Sequence, residues 1–240
     1  MAQEMSRLTF GQGPKRNLFA HVVESIGLRI IRGELSPSLP FPKEADLGTE
    51  FGASRSVIRE AVKSLAARGL ITSQTRTGIR VLEPINWNLL DAEVLNWRYS
   101  VMPPDQFYGE LFEIRRLIEP EAARLAALRG SATEIAAIVS AFAAMSEASR
   151  AERSGVAADL AFHRAILAAA HNALLLQMGN LIAVGLDIAH RLSSESFVVF
   201  LPMHKAVLDA ILARDGEKGE AAMRHLLSET QEFMSRLIRA

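Results

Sequence analysis

The sequence predicts a mainly α-helical protein with an N-terminal winged helix-turn-helix and a C-terminal all-α bundle. Three observations carry this prediction. Residues 1–83 contain three segments of helical periodicity followed by a β-hairpin pattern. The Glu83-Pro84 step is typical of a linker. Over 84–240 the apolar residues recur at helical spacing without a convincing strand, which predicts a domain of six or seven helices.

The three N-terminal helices have recognisable first and last residues. Apolar residues recur at helical spacing over 17–32, and the glycine that follows ends this first helix. Pro42 is suited to the start of a short second helix. Ser54 is a good N-cap for a third helix that ends near Arg68. Two β-rich stretches on either side of 75–78 predict the hairpin that forms the wing.

The chain is neutral as a whole, but its charge is unevenly divided. Residues 1–82 carry 12 Lys and Arg against 7 Asp and Glu, whereas 83–240 carry 15 against 20. A basic segment joined to an acidic one indicates that only the first part meets a polyanion such as DNA. With 240 residues, of which 49% are hydrophobic and 22% charged, the composition suits one large or two smaller globular domains.

Composition also restricts the chemistry and the location of the protein. The chain has no cysteine, so any bound metal must be held by histidine and carboxylate side chains. It contains no apolar run of about 18 residues, the length that would span a membrane. Its first residues lack the apolar core of a signal peptide. We therefore expect a cytoplasmic protein without a membrane partner.

The third predicted helix has one apolar and one basic face. With 100° between successive residues, its apolar side chains fall together, while Arg55, Ser56 and Arg59 fall on the opposite side. Arginines near the start of a recognition helix contact guanine edges or phosphates. Arg76, at the tip of the hairpin, is expected to enter the neighbouring minor groove. A solvated basic face is the alternative for such a helix alone, but the preceding helix and the wing favour DNA binding.

Two pairs of polar residues are spaced as metal ligands would be. Asp159 and His163 are four residues apart in a helical segment, so both side chains can reach one ion. His204 and His225 lie 11 residues before and 10 after Asp215, where a turn is predicted, which places them at the same height in a helical hairpin. From spacing alone, interior structural histidines and a surface Asp–His pair remain the alternative.

The N-terminal residues resemble the DNA-binding domain of the GntR family of regulators. The similarity lies in Lys43-Glu44-Ala45-Asp46-Leu47, in the run from Ser54 to Ala61, and in a wing that contains glycine. Many members have arginine where this chain has Ala45, so one expected phosphate contact is absent. Of the family's wing glycines only Gly78 is matched. The resemblance implies DNA contacts from seven residues: Lys43, Ser54, Arg55, Ser56, Arg59, Arg76 and Gly78.

The C-terminal residues resemble the helical effector domains, of the FCD type, found in the FadR-like branch of that family. Such domains carry Asp-x3-His, then a histidine, then another about 21 residues on. The resemblance implies four ligands: Asp159, His163, His204 and His225. One carboxylate and three imidazoles suit a divalent transition metal, Zn²⁺ first with Ni²⁺ or Mn²⁺ as alternatives.

Positions left open on such an ion suit a small carboxylate effector. Arg115 matches an arginine that faces the cavity in FCD-type domains, and Arg191 and Asn172 are further candidates. A surface salt bridge is the alternative role for both arginines. Residues 86–97 resemble the junction of FadR-branch regulators of sugar-acid catabolism, which implies a sugar acid as the effector. Within this junction Leu90, Val94 and Trp97 form a stripe that we expect to pack between the domains.

Together these features predict a homodimeric repressor that binds operator DNA and is released by a carboxylate effector. One alternative is a metal-dependent hydrolase or lyase with an accessory domain that resembles a DNA-binding one. It would need a general base in the same cavity, and no His-Glu-x-x-His motif is present. A second alternative, a structural nucleoid protein, would bind DNA without sequence preference and without using the metal.

Overall fold

The computed structural model describes residues 14–74, 78–150, 155–192 and 196–239. The chain forms two compact units, the N-terminal unit ending at Val101 and the C-terminal unit beginning at Met102. No helix among the described residues is long and apolar enough to cross a membrane.

The N-terminal unit confirms the predicted winged helix-turn-helix. Strands β1 and β2 pair in antiparallel fashion, with Ile71 opposite Val81, and form the wing. A short 3-10 helix and one further α-helix follow. In chain order the elements are α1 (Pro14–Ile31), α2 (Glu44–Phe51), α3 (Arg55–Ala67), β1 (Ile71–Gln74), β2 (Gly78–Val81), the 3-10 helix (Pro84–Asn86) and α4 (Ala92–Tyr99).

Local interactions fix the position of α3 after α2. Gly52 ends α2 with a φ of 59°, a left-handed conformation that glycine adopts without steric cost. Ser54 then caps α3, since its side chain accepts a hydrogen bond from the Val57 amide at 3.4 Å. The apolar face of α3 lies in the core of this unit, with Ile58 and Leu65 fully buried. The opposite face is therefore directed to solvent.

Residues 84–101 belong to the N-terminal unit, whereas the sequence had predicted that the C-terminal domain begins at residue 84. Helix α4 lies against α1 at Gly27, where a Cβ would be only 2.5 Å from Cζ3 of Trp97. Val94 and Trp97 are buried in the core of this unit, while Leu90 is 55% exposed. The predicted stripe is thus mainly a core element of the N-terminal unit, because Gly27 of α1 leaves space for the indole ring of Trp97.

The C-terminal unit confirms the predicted all-α bundle, with seven helices among the described residues. Helix α5 is central: it packs against α7, α9, α10 and α11. Gly219 permits a close approach of α11, since a Cβ there would lie 3.3 Å from the Ala123 carbonyl oxygen. The helices are α5 (Pro104–Arg129), α6 (Ala132–Arg150), α7 (Val156–Ala169), α8 (Ala173–Gln177), α9 (Gly179–Leu192), α10 (Ser196–Leu212) and α11 (Gly216–Arg239).

Candidate functional site

Three of the four predicted metal ligands meet in the interior of the C-terminal unit. Asp159 and His163 come from α7 and His204 from α10, and all three side chains are buried. Their nearest ligand atoms lie within 4.8 Å of one another. His204 Nε2 is 3.0 Å from Asp159 Oδ1, and His163 Nε2 is 3.5 Å from the same oxygen. We refer to these residues as the Asp–His–His cluster.

Both imidazoles of the cluster have a second partner on the far side of the ring. His163 Nδ1 lies 2.6 Å from Glu119 Oε2, and His204 Nδ1 donates to the Phe200 carbonyl oxygen at 2.8 Å. The Phe200 carbonyl places a proton on Nδ1 of His204, and the negative charge of Glu119 favours a proton on Nδ1 of His163. A neutral ring in that form directs a lone pair from Nε2, which is how metal-bound histidines are commonly held.

The residues of the cluster fit a divalent transition metal. The Nε2 lone pair of a neutral His204 would face the Asp159 carboxylate at 3.0 Å, two electron-rich atoms in contact. Such a contact is favourable only when a proton or a metal ion lies between them. Two imidazole nitrogens and one carboxylate oxygen, all buried, are a typical ligand set for Zn²⁺ and other divalent transition metals. FCD-type domains are in general metal-binding effector domains, and this cluster suits that role.

A buried arginine extends the network from the cluster. Arg115 Nε donates to Glu119 Oε1 at 2.5 Å, and its guanidinium lies over the Phe112 ring, 5.1 Å from the centroid. Arg115 is 2% exposed, and its Nη1 has no hydrogen-bond partner among the residues that the structure describes. A buried guanidinium nitrogen without a partner is costly, and an anionic ligand would satisfy it.

The charges of this network hold one another in the ionised form. Burial raises the pKa of Glu119, but the positive charges of Arg115 and His163 outweigh it and lower that pKa to about 2. Burial lowers the pKa of His163, but Glu119 and Asp159 outweigh it and raise that pKa to about 9. In the metal-free protein, His163 therefore carries a proton at neutral pH, which a metal must displace.

The fourth predicted ligand, His225, lies outside the cluster. Its side chain is 62% exposed on α11, with Nδ1 4.0 Å from a carboxylate oxygen of Glu229. Equal distance from a turn fixes the height of a residue along a helix but leaves its direction around the helix axis open. The core-facing positions of α11 here are Leu226 and Leu227, both buried, and His225 points away from them.

The remaining effector candidates have different outcomes. Asn172 caps α8, accepting hydrogen bonds from the amides of Leu174 and Leu175, and this role explains the residue without a ligand. The side chain of Arg191 lies outside the described residues. Glu119 had not been predicted, although its position four residues after Arg115 places both on one face of α5. Its burial, which the sequence pattern did not reveal, makes it part of the site.

Six of the seven predicted DNA contacts lie among the described residues of the N-terminal unit, and all six are exposed. Arg55, Ser56 and Arg59 project from the solvent side of α3, as the helical periodicity had indicated. Arg59 donates to Glu44 of α2 at 3.1 Å, and this ion pair lies at the surface. The remaining predicted contacts are divided: Lys43 and Ser54 are exposed, Gly78 begins β2 with a φ of 74°, and Arg76 lies outside the described residues.

The chain joins a winged helix-turn-helix to a helical domain whose buried Asp–His–His cluster fits a metal ion. These two parts define a DNA-binding regulator with a sensor domain. The family model for bacterial regulatory proteins of the gntR family matches residues 18–81, and the FCD domain model matches residues 110–229. The chain therefore belongs to the GntR family of bacterial transcription regulators, in the FadR-like branch that carries an FCD domain.

Relatives along nearly the whole chain agree with this assignment. The uncharacterised HTH-type transcriptional regulator YieP of Escherichia coli K12 is 33% identical over 216 residues, which span 89% of this chain and 94% of that protein. The galactonate operon transcriptional repressor of the same strain is 32% identical over 221 residues, or 88% and 95% of the two chains. These relatives are transcription regulators, so the hydrolase or lyase alternative finds no support.

Solved structures show the same fold. The structure of Lar, which controls the expression of the Listeria monocytogenes agr system, has a TM-score of 0.65 at 18% identity, covering 95% of this chain and 99% of that one. The Streptococcus agalactiae GntR structure has a TM-score of 0.53 at 20% identity, covering 90% and 99%. The two-part architecture is thus shared well beyond recognisable sequence similarity.

Proposed function

We propose that this regulator represses a sugar-acid catabolic operon and leaves its operator when a carboxylate effector binds beside a divalent metal. The observation that carries the proposal is the buried Asp–His–His cluster together with Arg115 of the same network, whose Nη1 has no hydrogen-bond partner among the described residues. Similarity to a galactonate operon repressor supports the sugar-acid class. As a regulator of transcription, the protein acts in the cytoplasm.

The metal is held by Asp159, His163 and His204, with Zn²⁺ as the first candidate and Ni²⁺ or Mn²⁺ as alternatives. When bound, it supplies a Lewis acid that attracts carboxylate oxygens. Glu119 and the Phe200 carbonyl orient the two imidazoles, so that little rearrangement accompanies metal binding. Three protein ligands leave room for an exogenous oxygen donor.

Arg115 provides the second contact for the effector. Its Nη1 donates a charge-assisted hydrogen bond to the effector carboxylate, which is stronger in the buried site than at the surface. To act as a switch, the effector must bind more tightly to the state of low operator affinity than to the state of high affinity. A shift of the populations of these two states from 1:99 to 99:1 needs a difference in binding free energy of about 5.5 kcal/mol.

The N-terminal unit reads the operator as one half of a homodimer. Two copies bind a pseudo-palindrome, because the two-fold symmetry of the protein is mirrored in the half-sites. Arg55 and Arg59 contact bases in the major groove, while the hydroxyls of Ser54 and Ser56 and the ammonium of Lys43 contact phosphates. The wing residues Arg76 and Gly78 approach the adjacent minor groove.

Fluorescence anisotropy tests the proposal directly. Zinc-loaded protein is bound to labelled DNA from upstream of its own gene, and D-galactonate, D-gluconate and small dicarboxylates are titrated in turn. We expect one acid to release the DNA at micromolar to millimolar concentration, and the release to be lost after treatment with a chelator. Specific DNA binding that no acid disturbs would overturn the effector assignment, and binding without sequence preference would favour a nucleoid protein.

A further inference from the structure

Glu119 joins the two halves of the candidate site through one carboxylate group. Its Oε1 accepts from Arg115 Nε at 2.5 Å, while its Oε2 lies 2.6 Å from His163 Nδ1. Glu119 is 1% exposed, so neither contact is exchanged for water. We propose that Glu119 is a positioning residue that couples metal binding to effector binding, an inference that rests on the proposed function of the cluster and of Arg115.

On the metal side, Glu119 controls the quality of His163 as a ligand. The carboxylate fixes the ring orientation and keeps the proton on Nδ1, so that Nε2 is directed at Asp159 and the position between them. A carboxylate behind the ring also makes the imidazole a stronger donor. Removal of this partner lowers metal affinity by roughly 10- to 100-fold in comparable sites.

On the effector side, Glu119 leaves one edge of the guanidinium available. The Nε and Nη2 atoms of Arg115 face Glu119, at 2.5 Å and 3.5 Å from its two oxygens, whereas Nη1 has no partner among the described residues. Because the fork of arginine is rigid, holding one edge fixes the direction of the other. Glu119 therefore aims Arg115 at the effector.

The shared carboxylate makes the two binding events cooperate. An effector carboxylate bound to Arg115 partly neutralises the positive charge of the guanidinium. Glu119 is then attracted less strongly by Arg115 and interacts more strongly with His163. The metal is then bound more tightly. By thermodynamic linkage, the metal must strengthen effector binding by the same factor. A neutral lactone of the same acid lacks the charge and does not produce the coupling.

The test measures Zn²⁺ affinity in the absence of any effector, by competition with a fluorescent chelator. Glu119→Gln is expected to weaken zinc binding by roughly 10- to 100-fold. Glu121→Gln is the matched control, since Glu121 lies on the same helix and pairs with Arg124 through a similar fork at the surface. Equal zinc affinity in folded Glu119→Gln and in wild type would overturn the proposal.

Glu119→Asp serves as the test if Glu119→Gln does not fold. The shorter aspartate cannot reach both partners, so we expect this variant to bind zinc more weakly. Unchanged zinc affinity in Glu119→Asp would overturn the proposal equally.

A second measurement addresses the coupling itself. Arg115→Lys keeps the charge but holds Glu119 less firmly, so we expect zinc affinity to change by about 2- to 30-fold although residue 115 is not a ligand. Arg124→Lys, the surface counterpart, should leave zinc affinity unchanged. If Arg115→Lys, like Arg124→Lys, leaves zinc affinity unchanged, the coupling is absent. Wild-type protein that binds neither zinc, nickel nor manganese would instead contradict the proposed function, a distinct result.

Discussion

The two units of the molecule place their functional charges in opposite environments. In the N-terminal unit the side chain of Arg59 is 66% exposed, and its pairing with Glu44 takes place at the surface. In the C-terminal unit Arg115 is buried together with Glu119 and His163. Exposed ion pairs contribute about 0–1 kcal/mol to stability, whereas breaking a buried pair costs about 3–5 kcal/mol. Substitution of the exposed charges of α3 should therefore affect DNA binding alone, and substitution of the buried charges around Glu119 should affect binding and folding together.

Arg115→Ala should give the largest change in stability. It leaves Glu119 as a buried carboxylate with one of its cations removed, and we expect a loss of about 3–5 kcal/mol from the C-terminal unit. Urea unfolding followed by circular dichroism measures this loss. Trp87 and Trp97, the two tryptophans of the chain, both lie in the N-terminal unit, so tryptophan fluorescence reports on that unit separately.

Arg124→Ala is the matched control for that measurement. It removes an arginine from the same helix, but its partner Glu121 is exposed to solvent, and the urea midpoint should hardly move. Equal losses from the two substitutions would mean that burial does not distinguish the pairs. A shift in tryptophan fluorescence would mean that the two units do not unfold independently.

The metal-free C-terminal unit should lose stability as the pH rises from 6.5 to 9. His163 has a folded-state pKa raised from 6.5 to about 9, so its contribution is complete below pH 6.5 and disappears as the pH passes about 9. One pKa unit corresponds to about 1.4 kcal/mol, which sets the loss at about 3 kcal/mol. Thermal unfolding of zinc-free protein, followed by circular dichroism, measures it.

The metal-free C-terminal unit should also lose stability as the pH falls into the acidic range. The pKa of Glu119 is lowered from 4.5 to about 2, so its contribution is complete above pH 4.5 and is lost as the pH falls toward 2. The network should therefore stabilise the metal-free unit most between pH 4.5 and 6.5. A melting temperature that stays constant from pH 6.5 to 9 would contradict the assigned ion pair between His163 and Glu119.

Arg55→Ala should weaken operator binding by about 1–3 kcal/mol, because it removes a proposed base contact in the major groove. Zinc content and urea midpoints should remain those of the wild type, since Arg55 is exposed. Anisotropy with the specific operator and with a scrambled sequence separates base from phosphate contacts. Lys63→Ala, farther along the same face, should weaken both DNAs alike. Unchanged affinity in Arg55→Ala would contradict the role of α3 as the recognition helix.

The helices and strands of the winged helix-turn-helix could be predicted from sequence almost completely, because the signals that define them are local. The helical phase that places Ile58 inside and Arg59 outside follows from 100° per residue, and Ser54 marks its own helix start. The position of α4 was beyond such reasoning. The apolar stripe of α4 shows that this helix packs against another element. Only the tertiary structure shows that this element is α1, where Gly27 provides the surface for Trp97.

The C-terminal site was predicted less completely, because it depends on contacts between helices. The spacing of Asp159 and His163 on one helix predicted that they face one point, and His204 was added from its distance to a predicted turn and from the family resemblance. These three residues do meet in the cluster. Glu119 was missed, since a charged residue four positions after Arg115 is typical of a surface ion pair. Whether such a pair is buried depends on the helices that cover it, which the local sequence does not specify.

His225→Ala should have the smallest effect, and it is the most direct test of the site against the original sequence prediction. Because His225 is exposed and lies outside the Asp–His–His cluster, zinc affinity and stability should both remain unchanged. His204→Ala, at the partner position of the predicted hairpin, should abolish zinc binding, because it removes one of three ligands. Both variants are measured by the same chelator competition. A clear loss of zinc affinity in His225→Ala would show that α11 rotates to supply a fourth ligand, and the orientation of α11 would then itself depend on the metal.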